Sequence, residues 1–256
     1  MHTQPKLFFL LIISLAACTS QKELLYLSNL DTTSQKQFFP YTSPEYLIQK
    51  RDILYIQFFT ENEELNQMLN ISSTRYTTNI FTNETSIYIF GYTVNDSGNV
   101  VLPLIGEVSV VGRTIDQARM SIQHAADALI KNVTVTLKLI SFKVTVIGEV
   151  NRPGTYTNFN NQLTVLEAIG MAGDISDYGN RKKVLVVRPT PDGTETFRIN
   201  LQDKNLLLSE AFFLLPNDIV IVEPIKSKPF QLNIPSLALL LTTVSTLILI
   251  LTFIRQ

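Results

Sequence analysis

The stretch FKVTVIGEVNRPGTY, residues 142–156, indicates a β-rich unit in the second half of the chain. Its first nine residues are rich in Val and Ile, which is typical of a strand. Asn151-Arg152-Pro153-Gly154 predicts a turn, because Pro153 fixes one φ angle and Gly154 can supply the positive φ of a type II turn. A second strand is expected to begin at Thr155.

The residues after this pair of strands predict a short helix and further strands. Thr164 and Glu167 have the spacing of a capping box, in which each side chain bonds the other residue's backbone N–H. Gly173 is expected to end that helix. Three apolar runs then predict strands: KKVLVVR, FRINL and DIVIVEP.

The residues before the opening stretch predict another β-rich unit that contains one amphipathic helix. Strands are expected on both sides of a turn at Lys50-Arg51-Asp52, whereas the polar residues 61–86 suit a long loop or an excursion with short pieces of structure. Thr114 and Gln117 match a second capping box. The apolar stripe of the helix that follows is Ile115, Ala118, Ile122, Ala125 or Ala126, and Leu129.

The start of the chain is typical of a lipoprotein signal. Lys6 precedes an uncharged apolar run from Leu7 to Leu15, which is too short to span a bilayer, and small residues then lead to Cys18. Cys18 is the single cysteine, so an exported form has no internal disulfide. We expect cleavage before Cys18 and a covalent lipid on its thiol.

The end of the chain predicts an apolar helix. Residues 237–254 contain no charged side chain and would extend about 27 Å as a helix, close to the thickness of a hydrocarbon core. Steps of 100° place the hydroxyls of Thr242, Ser245, Thr246 and Thr252 on one arc, with leucines opposite. The arc could face a wet lumen or serve only as a tight helix contact, and both interpretations stay open.

Composition argues against several classes of protein. The 256 residues carry a net charge of -1 and no basic run, so nucleic acid is not an expected partner. There is no HExxH motif, no Gly-rich phosphate loop and no clustered metal-ligand spacing in the sequence. His124 is the single histidine left after signal cleavage and lies off the apolar stripe. We therefore expect no catalysis and no cofactor apart from the lipid.

Several segments in order resemble the outer-membrane polysaccharide export family, the Wza-like lipoproteins that release capsule and exopolysaccharide. Residues 98–118, GNVVLPLIGEVSVVGRTIDQA, resemble the end of the family's polysaccharide export domain. VTVIGEVNRPGTY and LTVLEAIGMAG resemble the start of its SLBB domain, and KRDILYI and PNDIVIVEP resemble its two boxes ending in Asp-Ile. Those boxes usually have Gly before Asp, whereas this chain has Arg51 and Asn217. We expect Asn217 to tolerate the left-handed region and Arg51 to sit in a different turn.

The resemblance implies an α+β fold with a small β-rich polysaccharide export domain, a β-grasp-like SLBB domain and a C-terminal transmembrane helix. The expected boundaries are signal peptide 1–17, lipid-anchored tether 18–44, export domain 45–141, SLBB domain 142–225, linker 226–236 and helix 237–254.

The function implied is a ring-shaped homo-oligomer, lipid-anchored in the outer membrane with most of each chain in the periplasm, that conducts capsular or extracellular polysaccharide. Because the chain has no nucleotide motif, the driving force for export must come from partners, and the resemblance implies that the partner is an inner-membrane polysaccharide co-polymerase. A glycan-binding structural lipoprotein without a pore and a bitopic inner-membrane protein are the alternatives, followed by an enzyme acting on glycans.

Overall fold

The computed structural model describes residues 24–31, 36–40, 44–70, 90–226 and 228–254, and in the last range it describes side chains at 239 and 241–254. These residues form two β-rich domains and a long C-terminal helix. The strands are β1 Ile53–Phe59, β2 Tyr92–Thr93, β3 Asn99–Leu102, β4 Gly106–Ser109, β5 Thr134–Leu139, β6 Lys143–Gly148, β7 Gly154–Thr157, β8 Gly179–Thr190, β9 Gly193–Ile199 and β10 Ile219–Pro224. The helices are α1 Glu63–Leu69, α2 Ile115–Asp127, α3 Val165–Met171 and α4 Lys228–Ile254, with a 3-10 turn at Lys204–Leu208.

The first domain contains β1 to β5 with α1 and α2. Its antiparallel sheet has the order β2-β1-β5, and β3 and β4 form a separate hairpin. Alternate residues of β1 point into the core, where Leu54 and Phe58 are fully buried. Helix α2 covers this core with Ala118, Ile122 and Ala126. The predicted stripe is thus correct up to Ala126 and wrong at Leu129, which is exposed because α2 ends at Asp127.

The second domain is a five-stranded mixed sheet in the order β7-β6-β10-β8-β9. The central strands β6 and β10 are parallel, and all other pairs are antiparallel. Helix α3 packs into the same core through Val165, Ala168 and Ile169. A hairpin, a crossing helix and a last strand parallel to the first agree with the β-grasp-like prediction.

Both predicted capping boxes are confirmed. Thr114 accepts a hydrogen bond from the Gln117 backbone N–H at 3.2 Å, and the Gln117 side chain accepts one from the Thr114 N–H at 3.1 Å. Thr164 and Glu167 make the same exchange at 3.2 and 2.7 Å. Gly173, at φ 74°, follows the last turn of α3 as predicted.

The predicted type II turn at Pro153-Gly154 is wrong, because it required a positive φ at Gly154. Gly154 begins β7 without a positive φ, whereas Gly148, at the end of β6, has φ 92°. A Cβ atom on Gly148 would lie 2.2 Å from the Val222 carbonyl oxygen. The glycine that the sheet requires is therefore the one at the close approach of β6 to β10.

Residues 24–31, within the predicted tether, lie against the second domain. The Leu27 N–H donates to the Leu201 carbonyl at 2.9 Å, and the Tyr26 hydroxyl donates to the Asp174 carboxylate. Asn29 donates to the Asp203 carboxylate at 3.0 Å and accepts from the Lys204 N–H at 2.6 Å. This segment, called the strap below, is part of the folded body rather than a free linker.

The C-terminal helix α4 has 27 residues and carries exposed apolar side chains from Leu239 to Ile254. Among the residues that the structure describes, none of the helices has the length and apolar character needed to cross a membrane. The expectation of a transmembrane helix over residues 237–254 is therefore unsupported by the structure.

Candidate functional site

An open groove of about 620 Å³ runs between the two domains. The first domain lines it with side chains from β1, α2 and β5, and the second domain with the loop after β7. The groove is lined by Tyr55, Ile115, Asp116, Leu137, Lys138, Leu139, Ile140, Phe159, Asn160 and Asn161. Its composition is mixed, with apolar walls, an aromatic side chain from each domain, amides and one charge of each sign.

The loop after β7 is held in place by Asn158. This residue is buried, and its side-chain amide donates to the carbonyls of Asn160 at 2.7 Å and Gln162 at 3.2 Å. Its carbonyl oxygen accepts from the Asn160 N–H at 3.2 Å, and its backbone N–H donates to Phe142 at 2.8 Å. These bonds fix a loop on which Phe159 is 69% exposed beside the groove.

The wall of the groove is built on the junction of the two domains. Leu139 packs against both cores, and the Ile140 N–H donates to the Ile53 carbonyl at 3.0 Å. Ser141 accepts from the Ile53 N–H at 3.1 Å and donates to the Asp52 carboxylate at 3.3 Å. The short connection between the domains is thus tied back to the start of β1.

Asp52 is the buried carboxylate at this junction. Tyr46 and the Gln49 N–H each donate to one of its oxygens at 2.8 Å, in addition to Ser141. Burial raises the pKa of Asp52, and these donors offset part of that increase. Asp52 therefore closes the turn before β1 by accepting hydrogen bonds.

Asp218 closes an equivalent turn before β10. The Leu215 N–H donates to its carboxylate at 2.9 Å, as the Gln49 N–H does to Asp52. The Arg188 guanidinium also contacts both oxygens, with Nη2 2.8 Å from Oδ2 and Nε 3.1 Å from Oδ1. Both side chains are buried, so the pair is a structural ion pair of the second domain.

The residues before these two aspartates share one backbone conformation. Arg51 has φ 73° and Asn217 has φ 69°. The expectation for Asn217 is correct, whereas the expectation of a different turn at Arg51 is wrong. The Arg51 N–H donates to Val94 at 2.8 Å and the Asn217 N–H donates to Lys143 at 2.7 Å, so each turn is anchored to a neighbouring strand or its edge.

The predicted hydroxyl arc lies on α4, away from the groove residues in sequence. Each hydroxyl donates to a carbonyl of its own helix three or four residues earlier: Thr242 to Leu239, Ser245 and Thr246 to Thr242, and Thr252 to Ile248 and Leu249. Their oxygens keep acceptor capacity. Whether the arc faces a lumen or another helix stays a prediction.

Other predicted features are placed as follows. Cys18 lies outside the described residues. His124 is on the exposed face of α2. No group of three His, Cys, Asp or Glu side chains in the described ranges is arranged to hold a metal ion.

The groove and the strap were missed by sequence reasoning. The NFNNQ run at residues 158–162 carries an aromatic side chain between amides, but its place in one groove with Tyr55 depends on the packing of two domains.

Both domains match models of known protein families. A family model described as "Polysaccharide biosynthesis/export protein" covers residues 40–140, and an SLBB domain model covers residues 142–222. The chain is 30% identical over 102 residues to the "EPS I polysaccharide export outer membrane protein EpsA" of Ralstonia solanacearum, which is 38% of this chain and 27% of the relative. It is 29% identical over 104 residues to the protein of the same name from Ralstonia nicotianae, which is 39% of this chain and 27% of that relative. The matched region thus spans about a quarter of the length of these relatives.

The two domains define a mixed α/β protein in which an export domain precedes an SLBB domain. The chain belongs to the outer-membrane polysaccharide export family. The names of its relatives support the predicted location in the outer membrane.

Proposed function

We propose that this chain is a subunit of an outer-membrane conduit for capsular or extracellular polysaccharide. The observation that carries the proposal is that the two family models match the two domains in order, 40–140 and 142–222. Export requires passage of a polymer without covalent change, so the role is non-enzymatic. Membrane attachment is through the lipid on Cys18, and the periplasmic part is the two-domain body.

The surface of α4 supports assembly into an oligomer. Its exposed apolar side chains include Leu241, Leu247, Leu251 and Phe253. A contiguous exposed apolar surface marks a site that another surface covers. We propose that the α4 helices of neighbouring copies pack against one another through these apolar side chains, with their hydroxyl arcs toward the path of the polymer.

The driving force for export comes from other proteins in this proposal. The ring of periplasmic domains faces an inner-membrane polysaccharide co-polymerase, and continued synthesis pushes the polysaccharide outward. Selectivity then depends on lumen width and on hydroxyl and amide contacts.

The direct test is the surface polysaccharide of a deletion strain complemented with variants. Deletion is expected to abolish surface polymer, and wild type to restore it. Cys18→Ser should shift the protein out of the lipid-anchored outer-membrane fraction. Normal surface polymer in the deletion strain would contradict the proposed function.

The size of the detergent-extracted full-length particle tests the conduit itself. Wild type is expected to form one closed oligomer. A strictly monomeric particle would favour a glycan-binding lipoprotein without a pore.

The hydroxyl arc is tested by replacing Thr242 and Thr246 with Val and Ser245 with Ala. If the arc lines the path, export falls while the oligomer persists. The matched control replaces Val244 and Leu247 on the opposite face with Ala. Unchanged export in the hydroxyl variant would contradict a lumen-facing arc and would favour its role as a contact between helices.

A further inference from the structure

We propose that the groove between the two domains is a carbohydrate subsite that binds an uncharged stretch of the exported polymer, an inference that rests on the proposed function. It places a contact with polymer on the folded body in addition to any contact on α4.

The first argument is the exposed aromatic side chain that a well-supported loop carries at the groove. Phe159 is 69% exposed, yet its loop is held by four hydrogen bonds of the buried Asn158. Phe159 therefore differs from a core residue, which would be buried, and from a residue of a mobile loop, which would lack these hydrogen bonds. Rigid presentation reduces the ordering cost of binding, so the loop is suited to stack Phe159 on a ligand.

The second argument is the combination of aromatic and polar side chains in one groove. Tyr55 of the first domain and Phe159 of the second both line the groove. Sugar rings have apolar C–H faces and a rim of hydroxyls, and aromatic rings bind the former while amides bind the latter. Asn160 and Asn161 are exposed amides that line the same groove.

The third argument is the charge of the groove. Asp116 and Lys138 contribute one charge of each sign. A site for nucleotides or polyanions needs an excess of cations, whereas an uncharged polymer needs none. The volume of about 620 Å³ lies within the range of small-molecule sites.

The fourth argument is the position of the groove. It is lined by both domains of the export protein, and Asp52 and Ser141 fix the junction beside it. A polymer bound there contacts both domains at once.

The test is calorimetric titration of the full-length protein in detergent. The probe is a set of short oligosaccharides released by partial acid hydrolysis of the exopolysaccharide that the source strain secretes. Phe159→Ala is expected to weaken binding about tenfold and Phe159→Tyr to preserve it, because stacking needs a ring and not a particular substituent. Asn161→Ala should weaken binding roughly two- to tenfold through loss of a hydrogen bond.

Phe38→Ala is the matched control, because Phe38 is another exposed phenylalanine that does not line the groove. It should bind as wild type does. Equal binding by wild type and Phe159→Ala, or absence of binding by wild type, overturns the subsite. A Phe159→Ala particle that loses its oligomeric state also overturns it, since Phe159 then contacts a second copy.

Failure of the subsite is distinguishable from failure of the proposed function. If the deletion strain lacks surface polymer but Phe159→Ala binds normally, the subsite alone is wrong. If the deletion strain exports normally, the proposed function is wrong whatever the titration shows.

Discussion

Arg51 and Asn217 adopt the same left-handed backbone conformation, and each directly precedes a buried aspartate that lies immediately before a strand. In both turns the aspartate carboxylate accepts from the backbone N–H three residues earlier, Gln49 in one and Leu215 in the other. The two domains thus use one turn for two unrelated sheets. In each turn the N–H of the left-handed residue donates a hydrogen bond to a neighbouring backbone carbonyl.

Arg51→Gly is expected to raise the free energy of unfolding by about 0.5 kcal/mol. The left-handed region costs a non-glycine residue roughly 1–2 kcal/mol, and the added chain entropy of glycine offsets part of the gain. The Arg51 side chain is exposed and its ion pair with Asp96 is long at 4.0 Å, so its loss matters little. Chemical denaturation measures the change.

Lys50→Gly is the control for this prediction. Lys50 is in the same turn but is not among the described residues with positive φ, so glycine there should lower stability. Stabilisation by both substitutions would show that the φ of Arg51 is not the cause.

Arg188→Met is expected to destabilise the second domain by about 3–5 kcal/mol, because it leaves the Asp218 carboxylate buried without its cation. The double variant Arg188→Met with Asp218→Asn should lose less than the sum of the two single variants. The exposed pair of Arg198 and Glu223 provides the control. Arg198→Met should cost under about 1 kcal/mol in the same denaturation experiment.

Asp52→Asn is expected to change how stability depends on pH. Burial raises the pKa of Asp52 in the folded protein above its ordinary value of 3.8. The folded state therefore binds the proton more tightly than the unfolded state, and the stability from this group falls as pH rises from 3.8 through the folded-state pKa. The free energy of unfolding of wild type relative to Asp52→Asn should decrease across that interval. An increase would contradict the assignment.

Gly148→Ala is expected to destabilise the protein more than Gly106→Ala by roughly 1–3 kcal/mol. The two glycines have similar φ angles, 92° and 89°, so their conformational cost is matched. A Cβ atom at position 148 would overlap the Val222 carbonyl, whereas one at position 106 has none of the described atoms within 4 Å apart from those of residues 105–107. The loss of unfolding free energy in Gly148→Ala minus the loss in Gly106→Ala therefore measures the cost of the close approach at position 148.

Local features were predictable from the sequence. Thr114, Gln117, Thr164 and Glu167 reveal the starts of α2 and α3, because a capping box involves residues three apart. The strands of the second domain follow from their β-branched residues. Each of these signals lies within a few positions of the element that it predicts.

Features that depend on distant contacts were not predictable. Gly154 has the better local turn signal, but Gly148 takes the positive φ because β10 passes beside it. Arg51 has an unfavourable local preference, yet the bonds of Asp52 and Val94 fix its conformation. The groove likewise requires Tyr55 and Phe159 to be brought together by domain packing.

The strap determines which domain would carry mechanical load. Cys18 is six residues before Leu24, a reach of at most about 20 Å, and the strap joins the second domain through Tyr26 and Leu27. Helix α4 leaves the same domain after β10. With lipid on Cys18, lateral drag on the anchor would pull on the second domain and would reach the first domain through the junction at Ser141. Because Leu139 packs against both cores, the first domain would move together with the anchored second domain.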